Sequence, residues 1–234
     1  MGNTKPSPVL VVGASGKIGS ELVRLLESNG TLLRASSRNP SSQQARKPTT
    51  QWVELDLDKP ETFDAALEGV ETAFLMARPG DERPEVSAVP LLDAMLRAGV
   101  RRVVNLTAMG CELRPGFGLR QVELALENSG MHFTHLRPNF FMQIFCSGPH
   151  FAQLFRLRQL RLPAADARIS FIDSRDVAAG GDASLAAGAW LPAPVASCAR
   201  TTGAANIETA NRVTWTCLFF MVLQSPCAQP RRRL

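Results

Sequence analysis

Short apolar runs alternate with amphipathic stretches along most of the chain. Pro8 to Val12 carries no charge and reads as a strand buried on both faces, as in a parallel sheet. After Gly13-Ala14-Ser15-Gly16-Lys17-Ile18-Gly19, the residues Ile18, Leu22, Leu25 and Leu26 recur at helical spacing up to the capping pair Asn29-Gly30. Further strands are predicted at Thr31 to Ser36, Gln51 to Leu57, Thr72 to Ala77, Arg102 to Ala108 and Phe133 to Leu136. Helices are predicted at Glu61 to Leu67 (behind Pro60), Val86 to Ala98 and Gln121 to Asn128. Parallel strands need crossover connections, usually helical, so this alternation predicts an α/β fold with a doubly wound parallel sheet. After about residue 178, Ala, Gly, Pro, Cys and Thr dominate and helical periodicity fades. Within that stretch Val213 to Leu223 is expected to form one buried strand or helix.

Composition narrows the chemistry more than it alters the fold. Hydrophobic residues are 45% and charged residues 20% of 234, ordinary for a globular domain. No apolar run approaches the ~20 residues of a membrane span, and the start of the chain lacks a secretory pattern. A cytoplasmic protein without membrane association is the expectation. The net charge is +5, but the basic residues are scattered apart from Arg231, Arg232 and Arg233, so no nucleic-acid partner is predicted. The 5 cysteines include no C-x-x-C pair, and the 3 histidines form no metal-binding spacing, so no metal is expected. His132 and His135, three apart in a strand, should face opposite ways. There is no tyrosine, and the last lysine is Lys59. A mechanism built on a tyrosine acid or a downstream lysine is therefore excluded.

The spacing Gly13-x-x-Gly16-x-x-Gly19 gains meaning from its place between an apolar strand and an amphipathic helix. In a Rossmann-like unit the first glycine permits the tight turn, the second lets backbone approach a pyrophosphate, and the third lets helix pack on sheet. The helix start then offers free N–H groups and the positive dipole end. Gly13, Ala14, Ser15, Gly16, Lys17 and Ile18 are accordingly expected to bind a dinucleotide; the plain alternative is a strand-turn-helix without ligand. An NAD site usually places a carboxylate at the end of the second strand. This chain has Ser36-Ser37-Arg38 there and no acidic residue from Thr31 to Gln51, so Arg38 is expected to take a 2′-phosphate. NADP(H) is the expected cofactor, with NAD(H) second; Lys17 and Arg34 are further candidates for the same phosphate. Asp56 either accepts from the adenine amino group or caps the next helix, with Leu57 beside it. Strand-end loops carrying Met76, Ala77 and Arg78, and then Thr107, should line the pyrophosphate and nicotinamide. Thr107 is the remaining hydroxyl near the fifth strand end, and no residue is assigned as catalytic.

Five segments resemble the NmrA-like branch of atypical short-chain dehydrogenases/reductases, which includes NADPH-dependent quinone reductases and NADP-sensing regulators. They are Val11 to Gly19, Ser37-Arg38-Asn39-Pro40, Leu55-Asp56-Leu57-Asp58, Leu136-Arg137-Pro138-Asn139-Phe140-Phe141-Met142-Gln143, and Phe171 to Ala178. The resemblance spans roughly residues 7 to 180. It implies a substrate pocket partly built by Asn139, Phe140, Phe141 and Gln143. On this reading residues 1–178 form an NAD(P)-binding Rossmann domain. Residues 179–234 form an atypical tail in place of a complete C-terminal substrate lobe, of the kind an altered reading frame would produce. The expected function is an oxidoreductase passing hydride from NADPH to a quinone or similar conjugated carbonyl, as a monomer or homodimer with a small-molecule substrate. The alternative is an NADP(H)-sensing regulator without catalysis.

Overall fold

In the computed structural model the described residues are 7–47, 50–146, 156, 170–186 and 220–224. His150, the tryptophans and cysteines beyond residue 186, and the terminal arginines lie outside them.

Five of the six expected strands keep their place within one or two residues at most ends: β1 (Val9–Val11), β2 (Leu33–Ser37), β4 (Thr72–Met76), β5 (Arg102–Leu106) and β6 (His132–Pro138). The sixth, β3, is shorter than expected, Gln51–Glu54, because the chain turns at Asp56 rather than running on to Leu57. The helices are α1 (Lys17–Ser28), α2 (Pro40–Arg46), α3 (Phe63–Leu67), α4 (Pro84–Arg97), α5 (Gly118–Asn128) and α6 (Ser174–Ala186). A short parallel pair, β7 (Phe140–Phe141) and β8 (Phe171–Ile172), stands apart from the main sheet, and β9 (Phe220–Gln224) closes the series. The main sheet runs β3-β2-β1-β4-β5-β6-β9. Every pairing is parallel except that of β6 with β9, where Leu136 faces Val222 and His135 faces Leu223. The order reverses between β1 and β4, the switch point at which a doubly wound sheet opens a crevice beyond its strand ends.

Alternation along each buried strand feeds two cores. Leu10, Leu75 and Val103 join Phe63, Leu91, Met95 and Leu126 on the side of α3, α4 and α5. Val11, Phe74, Val104 and Leu136 join Leu22, Val23, Leu26 and Val177 on the side of α1 and α6. Each fully buried Leu or Phe contributes about 1.5–3 kcal/mol against its exposed state.

Two helices depart from the expectation. The seven-residue α2 holds no large apolar residue and so has no apolar periodicity to reveal it; Pro40 opens it, and the Asn39 side chain accepts from the Ser42 N–H at 3.2 Å. The second, α6, runs straight through 178/179 to Ala186. Its small residues serve close packing: a Cβ at Gly181 would lie 3.2 Å from Phe74 and 3.6 Å from Leu22. A helix that presses glycine and alanine against its neighbours loses the large apolar stripe from which periodicity is read. Of the stretch Val213 to Leu223, residues 213–219 lie outside the described set, and the remainder belongs to β9. No helix among the described residues is long and apolar enough to cross a membrane.

Candidate functional site

At the end of β1 the chain makes its sharpest turn. Gly13 sits at φ +74°, and a Cβ there would lie 2.8 Å from Met76 Cε. The Gly16 N–H bonds the Gly13 carbonyl at 3.0 Å, and the Ser20 N–H bonds the Gly16 carbonyl at 2.8 Å, which starts α1. A Cβ at Gly19 would fall 2.2 Å from the Gly13 oxygen, so only glycine lets α1 approach the strand this closely. Gly16 caps α1 without any side-chain hydrogen bond, and no acidic residue stands in the first turn. The helix thus presents its dipole and backbone donors uncompensated by side chains. Ser15 and Lys17 are exposed, whereas Ala14 and Ile18 are buried in the core. What those two offer a ligand is backbone.

The ends of β2, β3 and β4 gather beside this turn. Arg38 is exposed. Its neighbour Ser37 is turned inward and accepts from the Asn39 N–H at 3.1 Å. Arg34, the other phosphate candidate on β2, instead donates to the carbonyls of Ala66 and Glu68 at 2.9 and 2.8 Å, which ties it to the end of α3. Asp56 accepts from the Asp58 N–H at 3.2 Å, and its own N–H donates to the Thr62 hydroxyl at 3.1 Å. The Asp56 carboxylate thus closes a turn within its own loop and does not cap the helical turn at Pro60–Thr62, which carries no side-chain cap. Leu57 points into the core. Arg78 forks onto Asp58, with Nη2 at 2.7 Å from Oδ1 and Nη1 paired with Oδ2. That guanidinium holds the Asp58 carboxyl below its ordinary range. Met76 and Ala77 are half-buried beneath the glycine turn.

The end of β5 is different. Thr107 is buried, and its hydroxyl donates to Glu123 Oε1 at 2.8 Å, turned inward onto α5. Glu123 is fully buried and receives Arg137 in a fork, Nε at 2.8 Å and Nη2 at 2.7 Å. The Cys111 thiol donates to the same carboxylate at 3.1 Å. Arg120 bridges Glu123 at 2.8 Å and Glu127 at 2.6 Å. Burial alone would raise the Glu123 pKa, but the hydrogen bonds from Arg137, Cys111, Thr107 and Arg120 outweigh it and lower the value to about 2. Burial pushes the Cys111 thiol up, and Glu123 adds to the effect, so this thiol is a poor nucleophile. His135 is fully buried, and burial lowers its pKa to about 4, while His132 on the other face is exposed. Glu123, Glu127 and His135 bring one potential ligand atom each within 4.8 Å of one another. The Arg120 guanidinium, however, already stands between the two carboxylates as their cation. The periodicity gave no sign of this cluster. The one available signal is an arginine in the apolar strand Leu136-Arg137-Pro138, which must meet an opposite charge if it is buried.

Beyond β6, Asn139 donates to the Ser170 hydroxyl. The Gln143 amide donates to Asp173 at 3.0 Å and accepts from the Ser174 N–H at 3.0 Å. Both expected substrate residues thus tie the loop after β6 to β8 and the start of α6. Phe141 packs partly against the core, whereas Phe140 is 50% exposed. Phe171 lies 6.2 Å from Phe140 and 4.9 Å from Phe145, centroid to centroid. Met109 and Phe117, on the loop after β5, are exposed as well, and the Met109 N–H bonds the Pro138 carbonyl at 3.0 Å. An apolar, aromatic surface therefore lies open at the carboxyl ends of β5 and β6.

A family model described as NAD(P)H-binding matches residues 13–149. The NAD(P)H azoreductase of Xenophilus azovorans is 33% identical over 179 residues, 73% of this chain and 60% of that protein. Prestalk A differentiation protein A of Dictyostelium discoideum is 28% identical over 179 residues, 75% of this chain and 58% of that protein. The chain thus spans about three fifths of the length of these relatives. Among solved structures, an NADPH-dependent quinone oxidoreductase from Escherichia coli in complex with NADPH superposes with a TM-score of 0.67 at 20% identity, covering 77% of this chain and 65% of its own. Triphenylmethane reductase of Citrobacter sp. with NADP(H) gives 0.64 at 18% identity, covering 75% and 64%. At these identities the structures bear on the fold, which they share with this chain.

Proposed function

The chain belongs to the NAD(P)H-binding family, and from that premise we propose that it binds NADP(H) at the glycine turn and reduces a quinone or similar conjugated carbonyl. The observation that carries the reading is the start of α1: uncapped, free of acidic residues, and reached through a turn that a Cβ at Gly13 or Gly19 would fill. The backbone from Gly13 to Ile18 would hold the pyrophosphate, and Arg38 the 2′-phosphate. Met76, Ala77 and Arg78, on the loop after β4, would lie beside the pyrophosphate, while the Thr107 hydroxyl is given to Glu123. When bound, the reduced nicotinamide supplies the hydride.

The acceptor would lie against Phe140 and its apolar surroundings, where a flat conjugated ring gains contact area and water is excluded. Asn139 and Gln143 act here as positioning residues, since their amides fix the loop that carries Phe140. With no tyrosine in the chain and the Thr107 hydroxyl given to Glu123, no side chain on this surface is assigned as a proton donor. A quinone suits that arrangement, because the oxygens it bears after accepting hydride are stable anions that solvent can protonate. The same feature favours a second reading, an NADP(H)-responsive regulator that binds without turnover.

Titration of the purified chain with NADPH and NADH, followed by melting temperature, tests the cofactor. Tighter binding of NADPH, lost on Arg38→Ala, is the expected result, and binding of neither overturns the reading. NADPH oxidation with quinones and azo dyes then separates the two functions. Binding without oxidation of any acceptor favours the regulator.

A further inference from the structure

Five charged groups share the rim formed by the ends of β2, β3 and β4. Arg78 forks onto Asp58, and the same guanidinium has Asp81 Oδ2 at 3.5 Å. The charge of Asp56 also acts on Arg78, and that of Arg38 acts on Asp58. Arg38 follows β2 and Arg78 follows β4, the two strands that flank β1. Asp58 therefore bonds the cation after β4 and feels the charge of the one after β2, the strands on either side of β1. The Asp58 side chain is 58% exposed and that of Arg78 37%, so the pair is open to solvent, weak, and readily exchanged for another anion.

A guanidinium that takes a carboxylate through two parallel N–H groups takes a phosphate in the same way. Asp58 is the resident anion on Arg78, within the field of Arg38. We propose that Asp58 sets the preference of this site for a 2′-phosphorylated over an unphosphorylated dinucleotide, by competing with the 2′-phosphate for Arg78 and Arg38. The proposal rests on the reading that a dinucleotide binds at the glycine turn. A phosphorylated ligand must take the fork from Asp58 and then lie beside the displaced carboxylate. An unphosphorylated ligand leaves the pair intact. The rim sets Asp56, Asp58 and Asp81 against Arg38 and Arg78, three negative charges to two positive, which tempers the affinity for a dianion.

The test is titration of the full chain with NADPH and NADH in four forms: unaltered, Asp58→Asn, Arg78→Ala, and Glu61→Gln as an exposed control on the following turn. Asp58→Asn is expected to tighten NADPH about fivefold and to change NADH by less than about twofold. Arg78→Ala should weaken NADPH by a similar factor, and Glu61→Gln should leave the NADPH-to-NADH ratio unchanged. The gain from Asp58→Asn should shrink as salt is raised toward ~0.5 M, because exposed charges are screened. An unchanged ratio in Asp58→Asn, with both cofactors still binding, overturns this proposal alone. Binding of neither cofactor by the unaltered chain overturns the proposal together with the cofactor reading beneath it.

Discussion

At the end of β1, Gly16 opens α1 with no side chain capping it. Two strands along, at the end of β5, the Thr107 hydroxyl donates a hydrogen bond to Glu123, which Arg137 and Arg120 also hold. Both places lie at strand ends, where ligands gather in a doubly wound sheet. One opens its helix without a side-chain cap and builds the turn largely from residues with little or no side chain. The other pairs its charges with one another, Glu123 and Arg137 in the interior and Arg120 and Glu127 toward its edge. Placement at a strand end therefore does not make a polar group a ligand contact. Thr107 was expected to line the nicotinamide, yet its hydroxyl is committed to the interior. Commitment of side chains to one another separates the buried cluster from the candidate binding turn, and it can be changed at either end.

Glu123→Ala should have the largest effect. It would strand Arg137, which is 1% exposed, as an unpaired buried charge, at a cost of about 3–5 kcal/mol. Urea unfolding measures this, and a loss below about 1 kcal/mol would mean that the cluster is not the closed unit described.

Acid should expose the same contrast. His135 has a folded pKa of about 4 against 6.5 for the free group. Because the unfolded chain takes up the proton first, this contribution is complete above pH 6.5 and lost as pH falls toward 4, about 3 kcal/mol in all. Glu123, lowered from 4.5 to about 2, contributes above pH 4.5 and loses that contribution only as pH falls toward 2. Urea midpoints should therefore fall in two acid windows, and His135→Gln should flatten the upper one alone.

Gly19→Ala tests the open turn. Its Cβ would meet the Gly13 carbonyl at 2.2 Å, so α1 must shift, at about 1–3 kcal/mol. NADPH binding should be lost even where the fold survives, as melting temperature and titration together would reveal. The smallest effect on stability belongs to Arg38→Ala: melting should hold within about 0.5 kcal/mol, while NADPH affinity falls about tenfold or more. A fall in NADH affinity of the same size would assign Arg38 a role unrelated to the 2′-phosphate.

The difference in legibility between the two regions has a physical cause. The glycine turn is local: an apolar strand, three glycines and an amphipathic helix lie within Pro8 to Gly30, and each constraint acts between near neighbours in the chain. Glu123 and Arg137 belong to different elements and meet only because α5 packs beside β6. On paper Glu123 is one more polar position on a helix. Likewise Gln143 looks like a loop amide free for substrate, and only the arrival of Asp173 and Ser174 from far along the chain uses it up. The helices α2 and α6 escaped notice because one has no large apolar residue and the other packs through small residues.

What the sequence determined by itself was whatever depends on periodicity and on neighbours within a turn or two: the alternating strands and helices, the six parallel strands they imply, the Gly13 to Gly19 turn, the cationic rather than acidic end of β2, and the exclusion of tyrosine chemistry. The tertiary structure decided which polar groups are already spent. It paired Thr107 with Glu123 and Gln143 with Asp173. Hydrogen-bonding capacity is finite, and whether it remains for a ligand depends on residues that only folding brings within reach.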